Sequence, residues 1–530
     1  MAKIGRIYRL PCILLLWMAP LCGAAQQPTA DRTKIDIEQA DRFQNVKAAT
    51  NVYALIGNVI FRHNNVRMFC DSAYQYADQN MVEGFGNVHV IKDDTLHLYS
   101  DFANYDGNTH WAKAKYNVKL VNKSTTLTTD SLNYDMDGGV GYYDNYGTII
   151  DSTTTLVSKI GQYFVQEDKA YFKTEVKMDT KDYTMESDTM IYELKTGITT
   201  IIGPTNIYNG KNKLFAVDGL YNTREGKAEL FKRPVVTTED REIIANSLFY
   251  DEKTGDFLLL DRVEINDTKN KALIKGNHAI YNEQDGRSLV SDSAQFLYYA
   301  EKDTLYLHAD TLRTTADTIP DQKIISAYYG VRFFRTDLQG VCDSLTYWTR
   351  DSTMLLDYKP ALWSESNQMT SKSMELKTLS EESQIFKMYD DAFIIVQHDS
   401  IKFNQIKGRT TTGYIHSQNL YKIEVDGNGQ SIYYVTEDDG DIIGVNEAEC
   451  SHINIYLSNS KIRRITYVKT PDGKMSPPLE FDDVASRLPG FHWLQPTRPI
   501  SRDDIFRKTE IPEQKAEDET GEEADEDEKE

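Results

Sequence analysis

Polar and apolar residues alternate with a period of two in a phrase that recurs along the chain: "SDFANY" (100–105), "TDSLNY" (129–134), "SDTMIY" (187–192), "ANSLFY" (245–250) and "KGNHAIY" (275–281). Side chains of an extended backbone point alternately to opposite faces. Asp101, Ala103 and Tyr105 are therefore expected on one face and Phe102 and Asn104 on the other, and Asp130, Leu132, Tyr134 and Asp188, Met190, Tyr192 repeat the scheme. Each phrase runs into a turn rich in Asp, Asn and Gly, such as "DGNTH" (106–110), "DMDGG" (135–139) or "EKTGD" (252–256), residue types that tolerate tight hairpins. A second apolar alternation follows, as in "GNVIF" (57–61), "GNVHVI" (86–91), "YNVKLV" (116–121), "TEVKM" (174–178) and "DRVEI" (261–265). The pattern predicts units of two or three antiparallel strands.

The closing tyrosines are evenly spaced. Tyr76, Tyr105, Tyr134, Tyr163, Tyr192, Tyr221 and Tyr250 stand at intervals of twenty-nine residues, and Tyr281 follows after thirty-one. A unit of this size cannot bury its own apolar face, so a fixed period of this length marks an array whose neighbours bury one another. The fold class is accordingly all-β, built from tandem antiparallel repeats of about 29 residues, and the tyrosines are expected to form a structural ladder of packed, cross-strand rings. The expected plan is a signal peptide at 1–25, a β-repeat domain at 26–290, degenerate repeats at 291–480, and a linker with an acidic tail at 481–530.

Composition adds to this picture. The chain is rich in tyrosine (33) and poor in proline (14), in keeping with pleated strands. The start carries Lys3, Arg6 and Arg9, the apolar run "LPCILLLWMAPL" and small residues near Ala24, which reads as a cleaved export signal. Leu21 directly before Cys22 argues against a lipoprotein signal. Cys70, Cys342 and Cys450 are widely spaced and are expected as buried small side chains without a metal or disulfide framework. A net charge of −22 disfavours nucleic acid as a partner. The tail "EQKAEDETGEEADEDEKE" (513–530), with eleven acids against two lysines, reads as a solvated disordered extension.

Catalytic signatures are missing. There is no "HExxH", no "GxSxG", no phosphate loop and no dinucleotide fingerprint, and His63, His89, His97 and His110 have no spacing that gathers them on one strand face. The Asp-rich stretches are explained by turns. No enzyme, cofactor or metal is expected.

The repeated phrase "G-N-V-x-[FVI]", a polar gap, and then "x-x-x-Y" before an acidic turn resembles the OstA-like family. The likeness is carried best by "YALIGNVIFRHNNVRMFCDSAYQY" (53–76) and "MVEGFGNVHVIKDDTLHLYSDFANY" (81–105), and it extends over roughly 35–290. The family includes the periplasmic protein that bridges lipopolysaccharide transport between the two membranes of Gram-negative bacteria. The resemblance implies an elongated, solenoid-like β-jellyroll, a taco of V-shaped strands whose apolar groove shelters lipopolysaccharide acyl chains. It implies a location in the periplasm or at the periphery of the outer membrane, and end-to-end pairing of strand edges with membrane-anchored transport components. Val88, Val90, Val118, Leu120, Val176, Met178, Val263 and Ile265 are the groove candidates, with an ordinary dry core as the competing reading. An exported structural or adhesive β-repeat protein that binds proteins or glycans is the alternative function. The proline-punctuated "PLEFDDVASRLPGFHWLQPTRP" (478–499) reads as an extended docking segment or a linker.

Overall fold

A computed structural model describes residues 33–47, 51–300, 303–320, 322–380, 382–417, 419–437, 441–458 and 461–508. The expected signal peptide and acidic tail lie outside these residues. The chain divides into two compact units, up to Gly141 and from Tyr142 onward.

The first unit is a meander of antiparallel strands: β1 (Asp36–Gln39), β2 (Arg42–Lys47), β3 (Val52–His63), β4 (Val66–Tyr76), β5 (Met81–Lys92), β6 (Leu96–Asp106), β7 (Trp111–Asn122) and β8 (Thr125–Asp135). From β3 to β8 each strand pairs with the next in sequence, so a repeat consists of two strands.

Every odd strand from β3 to β7 is bent at its middle by two consecutive residues of positive φ: Gly57 and Asn58, Gly86 and Asn87, Tyr116 and Asn117. At the bend two residues oppose one, because Ile56 pairs with Ser72 while Val59 pairs with Cys70. This is a β-bulge, and it turns the strand into two arms. The bend is held by a column of side chains. Asn58 Nδ2 donates to Asp41 Oδ2 (3.0 Å), Asn87 to Asp71 (2.9 Å) and Asn117 to Asp101 (2.7 Å).

The bend also corrects the expected face of the aspartates. Asp101, Asp130 and Asp188 are exposed, whereas Ala103, Tyr105, Leu132, Tyr134, Met190 and Tyr192 are buried. The alternation slips phase at the bend: Leu96, Leu98 and Ser100 point inward before it, Ala103 and Tyr105 after it. Asp101 occupies the outer side of the corner, where it receives Asn117.

The second unit repeats the device. Positive-φ pairs recur at Thr174 and Glu175, Lys232 and Arg233, Asp261 and Arg262, Asp292 and Ser293, Tyr329 and Gly330, Tyr358 and Lys359, Asp390 and Asp391, Gly427 and Asn428, and Lys469 and Thr470. The corner thus continues well past residue 290. Runs such as "DAFIIVQ" lose the 29-residue register because the arms lengthen: the strands Ser383–Gln397, Asn419–Thr436 and Ile442–Ser458 have 15, 18 and 17 residues.

Residues 478–506 contribute no strand. They run as a strap along the outer face of the second unit. Leu494 packs on Val341, Ala361 and Trp363, while Leu488, Phe491 and Trp493 pack on Phe393, Ile395 and Phe403. Buried glutamines read the strap's backbone: Gln368 Nε2 donates to His492 O (2.6 Å), Gln368 Oε1 accepts from Leu494 N (2.7 Å), and Gln405 Oε1 accepts from Leu488 N (2.9 Å). Of the two sequence readings of this segment, docking describes it, and its partner is its own chain.

Candidate functional site

Inward side chains from paired strands line up in rows perpendicular to the strands. In the first unit one row runs Phe61, Met68, Val90, Leu98, Leu120, Leu127 without a polar interruption. In the second unit it begins at Ile149, Leu156, Met178, Met185 and Ile207 and continues through Val236, Ile243, Ile265, Ile274, Phe296, Leu307 and Phe333. Beyond Gly340 it resumes with Leu362, Met369, Ile394 and Ile406. At one strand spacing of about 4.8 Å per step, this row is roughly 80 Å long along the sheet.

The structure places all eight groove candidates on these inner faces, and all are at least 95% buried. Val90, Leu120, Met178 and Ile265 belong to the main row. Val88, Val118, Val176 and Val263 lie nearer the corner, opposite Ser100, Thr129, Ser187 and Gly276. Ser100 and Ser187 return their hydroxyls to the carbonyls of Phe102 (2.9 Å) and Thr189 (3.1 Å), two residues onward. The interior therefore receives their apolar side. The small residue opening "SDFANY" and "SDTMIY" was a signal for this arrangement that sequence reading passed over.

The interior is tightly filled in the first unit, where a cavity of about 10 Å³ lies between Ile35, Phe61, His63, Val66, Met68, Val82 and Tyr105. In the second unit a surface pocket of about 360 Å³ opens at the arm tips beside Leu379, Ile385, Ile415 and Tyr421.

The tyrosines occupy a particular place. Tyr105, Tyr134, Tyr163, Tyr192 and Tyr221 are buried and Tyr250 half-buried, and within their rows they alternate with smaller neighbours or with Phe257. Ala112 sits between Tyr105 and Tyr134, Thr199 between Tyr192 and Tyr221, and Ala228 between Tyr221 and Tyr250. Tyr76 departs from the expected ladder. It lies on the opposite face, donating to Glu83 Oε2 (3.0 Å), and Gln75 takes the inward place. Thirty residues separate Asp71 from Asp101 at the corner, so the twenty-nine-residue count slips by one there, and a slip of one flips the face.

The ladder residues lie at the tips of the first arms and reach side chains at the tips of the second arms, about forty positions away in sequence. Tyr105 OH lies 2.8 Å from His63 Nδ1, Tyr192 OH 3.3 Å from Thr154 Oγ1, and Tyr281 OH 2.5 Å from Arg241 Nη1. The Tyr183 and Tyr221 rings meet at 5.1 Å. These contacts form a seam that joins the arms along the mouth. Periodicity alone could not reveal it, since each partner sits in a different repeat. At His63, Nε2 faces both the Thr33 hydroxyl (2.8 Å) and the Thr33 carbonyl (3.0 Å), which can only accept; with the proton on Nε2, Nδ1 accepts from Tyr105. Burial, assisted by nearby His110, holds the His63 pKa below its ordinary value, against the opposing effects of the Thr33 bond and of Asp36 and Asp137.

Cys70, Cys342 and Cys450 are free and buried. Burial raises the Cys70 thiol to about 11. Among the described residues no group of three His, Cys, Asp or Glu side chains is placed to hold a metal ion.

Residues 32–188 match the family model described as OstA-like protein. No curated protein matches the chain. Among solved structures, the chain is similar to LptH, the LptA-homologous periplasmic component of the conserved lipopolysaccharide transport device from Pseudomonas aeruginosa, at 19% identity, covering 19% of this chain and 76% of that one, with a TM-score of 0.18. A match to the WD40 domain of SCAP from fission yeast covers 74% of this chain and 99% of that one at 7% identity, with a TM-score of 0.11. Neither score is high enough to carry a fold argument. The bent two-strand repeat, its asparagine–aspartate corner and the family match coincide in one stretch: residues 32–188 of the chain are similar to the OstA-like family.

Proposed function

We propose that the protein is a non-enzymatic periplasmic lipid-binding component of lipopolysaccharide transport to, and assembly of, the Gram-negative outer membrane, holding acyl chains along its inner rows. The observation that carries this reading is the apolar row itself, which begins within an OstA-like segment and runs across the repeats without a charged side chain. Val88, Val90, Val118, Leu120, Val176, Met178, Val263 and Ile265 would contact the chains. A protein of net charge −22 repels anionic headgroups, so recognition is by the tails, with the headgroup kept in solvent. β1 and β2 offer a strand edge bearing the exposed Ile37, Phe43 and Val46, suited to end-to-end pairing with a membrane-anchored transport component.

The tightly filled interior favours a second reading, an exported structural or adhesive repeat protein with a permanently dry core. Photocrosslinking in cells separates the two. A crosslinking amino acid at Val118 should yield a lipopolysaccharide adduct and one at the exposed neighbour Lys119 should not. Absence of adducts at Val118, Val88 and Val176 in folded protein would transfer the conclusion to the structural reading.

A further inference from the structure

Before β1 the chain crosses the mouth of the first unit. Residues 33–35 precede the first laddered pair, Asp36 with Arg62, and the side chain of Ile35 turns inward between the arms. With Phe61, His63, Val66, Met68, Val82 and Tyr105 it walls the small cavity of this unit. Gly107 leaves room for it, since a Cβ there would lie 2.9 Å from Ile35 Cγ1. Among the described residues the backbone of this segment is held by side chains from both arms. Gln75 Nε2 donates to Ile35 O (3.0 Å), Ile35 N donates to Asn80 Oδ1 (2.9 Å), and Asn80 Nδ2 donates to Thr33 O (3.2 Å). From the second arm, His63 Nε2 meets Thr33 O (3.0 Å), and Thr33 Oγ1 donates to Asn64 Oδ1 (2.9 Å). Gln75 is the residue that stands inward where the even spacing would place Tyr76. At this repeat a glutamine that binds a passing backbone replaces a tyrosine that would tie the arms.

A strand of this unit leaves only by giving up a row of backbone bonds, whereas residues 33–35 give up side-chain bonds near the surface, which water replaces. The apolar contact that Ile35 loses is returned when another aliphatic group takes its place, because burial depends on area and not on its source. Ile35 covers Phe61 and Met68, which begin the apolar row of the first unit, and the interior beside it is tightly filled. We propose that residues 33–35 are a self-ligand, which occupies the head of the acyl-chain track in the first unit and withdraws when lipid binds there. Asp36, where pairing with β3 begins, is the pivot. The inference rests on the lipid-binding reading above and adds an autoinhibitory contact, the residues that hold it, and the place where a filled interior yields.

The test uses the full chain and lipopolysaccharide carrying a diazirine in an acyl chain, with adducts assigned to peptides by mass spectrometry. Thr33→Cys with Asn64→Cys, in a chain whose other cysteines are alanine, places two exposed thiols side by side and leaves Ile35, Gln75 and Asn80 as they are. A short bismaleimide across them holds the segment down, and the same chain with its thiols capped singly is the unbridged control. Bridging is expected to abolish adducts on residues 59–68 and to leave those on residues 176–185 unchanged. In a separate variant that needs no bridge, Gln75→Ala with Asn80→Ala is expected to speed adduct formation on residues 59–68 at least about fivefold, from the net strength of a single hydrogen bond, with residues 176–185 again unchanged. The self-ligand is overturned if the bridged chain labels residues 59–68 as fast as the unbridged one, or if the unbridged chain labels residues 176–185 and never 59–68. If folded, unbridged protein gives no adduct on either peptide, the lipid-binding reading fails, and the self-ligand with it.

Discussion

The corner can be tested at Gly86. Its φ is +72°, and a Cβ built there would lie 2.5 Å from Asp71 Oδ2, the oxygen that accepts from Asn87. Gly86→Ala therefore carries two costs. Holding an L-residue in the left-handed region costs about 1–2 kcal/mol. Displacing the Asp71 carboxylate loses a solvent-exposed hydrogen bond, about 0.5–1 kcal/mol. The sum is about 1.5–3 kcal/mol, which predicts exchange of the β5 amides about 10- to 150-fold faster if they open through the corner. Hydrogen exchange on peptides spanning 81–92, beside urea denaturation of the full chain, measures both. Asp71→Ala alone should cost only the hydrogen bond. In that background Gly86→Ala should cost about 0.5–1 kcal/mol less than in the parent, because the carboxylate has gone. A Gly86→Ala cost below about 0.5 kcal/mol, or equal costs in the two backgrounds, would refute the corner geometry.

Thr174 holds a β-branched residue at φ +66°, so Thr174→Gly should be neutral or stabilising by up to about 1 kcal/mol, the opposite sign to Gly86→Ala, as read by urea midpoint. The His63 pKa is depressed in the fold, so its neutral form's contribution is complete above the ordinary histidine value of about 6.5 and is lost as pH falls through it towards the folded value. Thermal midpoints of the parent should therefore fall between pH 8 and pH 5 more steeply than those of His63→Gln, and parallel profiles would count against a buried neutral His63. Trp363 is fully buried beneath the strap, so Trp363→Ala should cost about 3–5 kcal/mol and speed proteolysis within 478–506. The Trp363 indole nitrogen has no hydrogen-bond partner among the described residues, so Trp363→Phe should cost much less, and equal costs for the two would mean the ring is not packed as described.

Much of this organisation was written in local pattern. The alternation in "SDFANY" is a strand whatever surrounds it, because period two is a property of the extended backbone. The even tyrosine spacing required stacking, because one unit cannot bury its own face. The eight groove candidates follow from the same alternation once strand and turn are separated, and all eight lie inside. Where local pattern misled, the cause was a residue of phase. Asp101 was grouped with Ala103 because strict alternation does not register the change of phase at the corner, and Tyr76 with Tyr105 because equivalent positions in these two repeats are thirty residues apart, not twenty-nine.

The sequence by itself determined the strands, the turns between them, the repeat and the apolar character of one face, since each depends on side-chain type and spacing within a few residues. Tertiary structure alone decided what those faces meet. That asparagine and aspartate sixteen or seventeen positions apart would clasp a corner, that tyrosines would seal a mouth against side chains about forty positions away, and that 478–506 would lie on the outer residues Trp363 and Phe403 all depend on which distant surfaces come into contact. Once arms of unequal length fold towards one another, that is set by the accumulated geometry of the bends rather than by any local pattern.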